Sequence, residues 1–95
     1  MEDIDNVELV LHQGATVTLA LEGIHDGLRC RLLHDGIIIE DFTLRKGTPA
    51  RRVVPAGPLL VQAYTRSGKD MLILDEHSLR LAKDQDVDVA VLVER

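Results

Sequence analysis

The side chains in this chain that could do chemistry are few and dispersed. Histidine occurs at His12, His25, His34 and His77, and cysteine once, at Cys30. A compact metal site wants ligands two or four residues apart, or paired thiols, and no two of these histidines are so spaced. His25-Asp26 and His34-Asp35 fall in successive turns. Brought together at one end of the fold they could take a divalent metal; the plainer reading is two polar turns with solvent-exposed histidines, and no metal ligand is assigned. Cys30 lies between Arg29 and Arg31, cations that would favour a reactive thiolate. Alternation instead puts Cys30 on the apolar face, opposite the arginines, as a small core residue. Ser67 and Ser78 have no Gly-x-Ser-x-Gly context. The glycines are spread singly, with no phosphate-cradling loop. The carboxylate pairs Glu40-Asp41 and Asp75-Glu76 read as solvated strand ends rather than a general acid and base. No catalytic residue and no cofactor are expected.

The most suggestive cluster is basic. Arg29, Arg31, Arg45, Lys46, Arg51 and Arg52 are six of the eleven positive charges of a chain whose net charge is −5. An asymmetric surface of this kind can receive an acidic protein partner, since complementary charge steers encounter and fixes register. These six are the candidate partner-binding residues. Nucleic acid is not expected: the overall charge opposes it, and stacking aromatics are nearly absent, with Phe42, Tyr64 and no Trp. Membrane is not expected either, because no apolar run approaches the ~20 residues of a span.

What must position these residues is a set of short strands. Ninety-five residues, 45% of them hydrophobic, suffice for one domain with one core of Val, Leu and Ile. The dominant period is two. Val7, Leu9 and Leu11 share a face, as do Val17, Leu19 and Leu21 opposite Thr16 and Thr18. Leu28-Arg29-Cys30-Arg31-Leu32 alternates again. His34-Asp35-Gly36 then gives the Asp-Gly signal of a two-residue hairpin, in which both central residues take positive φ. Its partner strand opens with Ile37-Ile38-Ile39, a run implying burial on both faces or an edge covered by something else. Pro55-Ala56-Gly57 makes a tight turn into a strand over 59–64. Met71-Leu72-Ile73-Leu74 forms another strand. Residues 75–83 could hold a helical turn, but Leu79-Arg80-Leu81 alternates and favours strand. The run 87–94 closes the chain with clear alternation. Val10, Ala20 and Leu92 fall on the polar side of their strands, where an oligomer or an added strand would cover them. Seven to nine short strands with turn signals between them predict an all-β, antiparallel sandwich. It fills 1–95 as a single domain, with 1–6 an acidic, flexible start.

Ala15-Thr16-Val17-Thr18-Leu19, Val54-Pro55-Ala56-Gly57-Pro58-Leu59-Leu60-Val61 and the closing valines resemble the prealbumin-like sandwiches. In particular they are similar to carboxypeptidase-regulatory-like and collagen-adhesin B-type modules, and immunoglobulin-like sandwiches share the same signals. The resemblance covers about two thirds of the chain and implies a sandwich in which a Pro-Ala-Gly turn precedes a crossing strand. It does not extend to the adhesin Lys–Asn cross-link. The only asparagine is Asn6, and Lys46, Lys69 and Lys83 stand at no mid-strand core position. The C-terminal Tyr-Arg-Gly-Ser of transthyretin-like hydrolases is also absent. The expected role is therefore a non-catalytic module that binds a protein, or itself, through a sheet face or edge. An accessory domain binding a metal or carbohydrate through loops at one end is the alternative. The acidic start Met1-Glu2-Asp3-Ile4-Asp5 does not read as a signal peptide, and with a single cysteine it points to a cytoplasmic setting or to a domain excised from a larger or exported protein.

Overall fold

In the computed structural model the described residues are 14–94, and they form seven strands and no helix. These are β1 (Gly14–Gly23), β2 (Gly27–His34), β3 (Ile37–Arg45), β4 (Ala50–Pro55), β5 (Gly57–Ser67), β6 (Asp70–Leu81) and β7 (Asp86–Val93). They make two sheets, a three-stranded one in the order β4-β1-β7 and a four-stranded one in the order β3-β2-β5-β6. The chain is thus an all-β sandwich. The strand expected over residues 7–11, the acidic start, His12 and Val10 lie outside the described residues.

The period of two does the sorting. Ala15, Val17, Leu19 and Leu21 of β1 are all buried, as are Leu28, Cys30 and Leu32 of β2, and Leu59, Val61 and Ala63 of β5. Val89, Val91 and Val93 of β7 complete a single core with Val54, Leu44 and Leu81. Side chains of opposite parity face solvent, as a pleated strand requires. One pair departs from the antiparallel rule: β1 and β7, the first and last described strands, run parallel from Thr16↔Asp86 to Gly23↔Val93.

Turn chemistry fixes the registers. His34 pairs with Ile37, leaving Asp35 and Gly36 as the two-residue loop. Their φ values of 51° and 80° are the positive pair such a hairpin demands. At Pro55-Ala56-Gly57 the chain leaves the three-stranded sheet and enters the four-stranded one. Gly57 turns that corner with φ 114°, a conformation open mainly to glycine. Gly23 is required for a different reason, since a Cβ there would overlap the Val93 carbonyl.

Two expectations are refined. Residues 70–81 are one strand and not two, with Leu74 as the extra residue of a bulge between Ala63↔Asp75 and Tyr64↔Ile73. The isoleucine run is not buried. Ile37, Ile38 and Ile39 are 67%, 49% and 38% exposed, because β3 is an outer strand and a bulge at Ile39 twists its start away from the core. Nothing among the described residues covers them.

The core is tested by truncation. Leu32→Ala, at a fully buried site, should cost about 2–5 kcal/mol in urea denaturation. Leu92→Ala, at a site 50% exposed, should stay within about 0.5 kcal/mol of the parent.

Candidate polar network on the four-stranded sheet

The outer face of the four-stranded sheet carries the densest polar chemistry of the described residues. Alternation sends Arg29 and Arg31 outward from β2, Asp41 and Thr43 from β3, Gln62 and Tyr64 from β5, and Glu76 from β6. Register aligns them in rows: Asp41, Arg31, Gln62 and Glu76 cross the sheet in line, and Thr43, Arg29 and Tyr64 form the row beside it.

Within this array each group satisfies another. Arg31 Nε donates to Gln62 Oε1 at 2.7 Å, and Gln62 Nε2 donates to Glu76 Oε2 at 2.7 Å. The Tyr64 hydroxyl lies 2.8 and 2.7 Å from the two Asp41 oxygens, reaching across β2 to do so. Arg29 donates to Asp41 Oδ1 at 2.8 Å. The guanidinium groups of Arg31 and Arg66 lie over the Tyr64 ring, 5.4 and 5.9 Å from its centroid, within cation–π range. Tyr64 is consequently 2% exposed although it points away from the core. The Tyr64 oxygen, and after it the Asp41 charge, raise the Arg29 pKa above its ordinary value.

The six candidate basic residues are not gathered into one patch. Arg29 and Arg31 belong to this face, with Arg45 at its far end opposite Gly27. Lys46 donates from Nζ to the Gly23 carbonyl at 2.6 Å, tying the β3–β4 connection to the end of β1. Arg51 and Arg52 are neighbours on β4 and so point to opposite sides of it. Arg51 is on the outer face of the three-stranded sheet, 3.8 Å from Asp86. Arg52 turns inward at the open corner between the sheets, its guanidinium 4.4 Å from the Phe42 ring centroid and 3.8 Å from Glu40. Sequence reasoning read Asp41 as a solvated strand end and gave Tyr64 and Gln62 no part in a site; the parity of β2, β3 and β5 was the signal that could have joined them.

The two His-Asp turns do not converge. His25 precedes the start of β2 and His34 ends it, so the length of the strand separates them. His34 packs instead near Gly57 and its Nδ1 is 3.0 Å from the Pro58 carbonyl. No group of three or more His, Cys, Asp or Glu side chains among the described residues is arranged to hold a metal ion. Cys30 is fully buried, and its pKa is pushed up to about 12, first by burial and then by the Asp41 charge. The flanking arginines point to the other face and do not offset this.

Comparison of the chain with models of known protein families gives no match, and comparison with the sequences of characterised proteins gives none at a significant level.

Three measurements follow from this geometry. A double-mutant cycle on Tyr64→Phe and Asp41→Asn should return a coupling of about 1 kcal/mol in urea denaturation, the net worth of one hydrogen bond to a charged group or slightly less. The thiol of Cys30 should react with a disulfide reagent at pH 8 only as fast as the protein unfolds. Because its folded pKa is the higher one, the native state keeps a proton that the unfolded chain loses, so stability should decline as pH rises from about 9 towards 12. Cys30→Ala should remove that part of the slope.

Proposed function

We propose that this chain is a non-catalytic sandwich module that associates with a second copy of itself through one end of the outer face of its four-stranded sheet. The observation that supports this is an apolar row crossing three strands on the solvent side. Ile38 pairs with Leu33, and Leu33 pairs with Leu60, so their side chains stand shoulder to shoulder where a free sheet face would carry polar groups. Pro58, one outward position along β5, and the exposed bulge residue Ile39 extend it. A shallow depression of about 190 Å³ runs beside Leu33, Pro58 and Leu60.

Contiguous exposed apolar surface bordered by charge has the anatomy of an interface, with an apolar centre and a polar rim. The rim favours a second copy. Asp35 flanks the row at the β2–β3 turn, and Arg80 flanks it on β6, opposite Pro58. A two-fold axis lying in the face along the strands superposes the row on itself and sets Asp35 of each copy against Arg80 of the other. Addition of a strand at the β3 edge is less favoured, because the bulge at Ile39 and the inward Glu40 are features that discourage edge pairing. We also read the sandwich as prealbumin-like. The Pro55-Ala56-Gly57 corner, which carries the chain from one sheet to the other, supports that reading.

Sedimentation equilibrium should give a mass that rises with concentration towards twice the 10.5 kDa chain. Leu60→Lys should hold the protein at the monomer mass, and Arg80→Glu should weaken association about tenfold. A parent chain that stays monomeric to millimolar concentration would remove self-association, and this reading with it.

A further inference from the structure

At the opposite end of the same face the geometry points to a second site, one that binds a single carboxylate, free or carried on a polypeptide. A depression of about 520 Å³ lies there, bordered by Gly27, Arg29, Thr43, Tyr64, Thr65 and Arg66. Its volume is within the roughly 300–1,000 Å³ of ligand sites. It is about 20 Å from Leu60 along β5 at ~3.3 Å per residue, so it does not rest on the self-association reading.

Three features select the ligand. The first is Arg66. Its guanidinium rests over the Tyr64 ring, and no ion pair joins it to a carboxylate among the described residues. The fork of N–H donors, which matches a carboxylate in two parallel hydrogen bonds, is unspent. The second is the state of Asp41, the one acid in the lining. Both its oxygens are engaged by the Tyr64 hydroxyl and one of them by Arg29. It therefore does not turn to Arg66, and it leaves the lining, two arginines and one aspartate, with one positive charge in excess on a chain of net charge −5. One excess charge matches a monoanion. A phosphate dianion would meet the Asp41 charge without a second unpaired cation to offset it.

The third feature is Gly27. It faces outward beside Arg29, and its φ is not in the left-handed range, so the backbone does not require glycine there. A Cβ would meet nothing closer than the Leu44 carbonyl at 3.6 Å. The missing side chain keeps the depression open at the start of β2, and a bulky residue would fill it without straining the chain.

The test is a titration of the ¹⁵N-labelled full chain with a capped Gly-Glu-Gly peptide, followed at the backbone amides of Gly27, Thr43, Thr65 and Arg66 and at Arg66 Nε. Saturable shifts confined to these groups are expected, and the matching Gly-Gln-Gly peptide should produce none. Arg66→Gln should weaken binding at least tenfold, and Gly27→Leu should block it while the amide spectrum elsewhere stays folded. Sodium acetate separates the sources of the carboxylate. Acetate binding at least tenfold weaker than that of the peptide supports a carboxylate on a polypeptide, and any tighter acetate binding supports a free carboxylate as the ligand. Shifts equal for the Glu and Gln peptides, tighter binding of inorganic phosphate, or unchanged affinity in Arg66→Gln would each overturn the site.

Discussion

Two open sheets packed face to face leave two long corners at which the core meets water, and the rest of this structure depends on how those corners are closed. A barrel would close them with backbone hydrogen bonds, and a disulfide could pin them. This chain has neither means, with one cysteine in its whole sequence. It uses side chains instead. At the corner between β3 and β4, Arg52 reaches inward to lie over Phe42 and beside Glu40. At the corner between β6 and β7, Asp75 accepts a hydrogen bond from the Leu92 backbone N–H at 3.1 Å and sits 2.8 Å from His77 Nε2. Each clamp places charge at an inward position of an edge strand, which bars water from the core and another chain from the edge.

The same economy governs the rest of the polar chemistry. Among the described residues no buried side-chain nitrogen or oxygen lacks a hydrogen-bond partner. Asp41 is satisfied by Tyr64 and Arg29, Gln62 by Arg31 and Glu76, and His34 lies against the Pro58 carbonyl. Groups that complete one another are held for structure. Pairing this complete matters most at the buried Gln62 and Tyr64, where a partner left alone would carry a desolvation cost. It is the departures from this pattern, Arg66 and the Ile38-Leu33-Leu60 row, that stand out as surface not yet spoken for.

What could be read from the sequence was what depends on near neighbours. The Asp35-Gly36 hairpin was legible because its φ values are a property of two residues, and the interior place of Cys30 because strand parity needs only a few. The strand nature of 75–81 followed from the alternation of Leu79-Arg80-Leu81. What failed was proximity taken as co-location. Arg51 and Arg52 are adjacent in the chain and therefore on opposite sides of the sheet, and the His25 and His34 turns are near in sequence yet separated by the whole of β2. Of the two readings of the isoleucine run, burial on both faces fails and a sheet edge is what the structure gives, for a related reason. Burial depends on sheet order, and nothing local to Ile37-Ile38-Ile39 says that β3 is an outer strand. The parallel pairing of β1 with β7 is the extreme case, joining the two ends of the described chain.

Tyr64 shows why the outer face of the four-stranded sheet was the least legible part. By parity it belongs to solvent, and a tyrosine on a sheet exterior would ordinarily be counted as an exposed aromatic. Its burial is made by residues from three strands: Arg31 over the ring, Arg66 over the ring from its own strand, and Asp41 at the hydroxyl. No pair of these is near in sequence except Tyr64 and Arg66. The consequence is a face in two halves, one apolar at the β2–β3 turn and one cationic where β5 ends, divided by the hydrogen-bonded chain of Arg31, Gln62 and Glu76. The proposed partner surface at Leu60 and the proposed carboxylate site at Arg66 therefore stand apart, with those side chains between them.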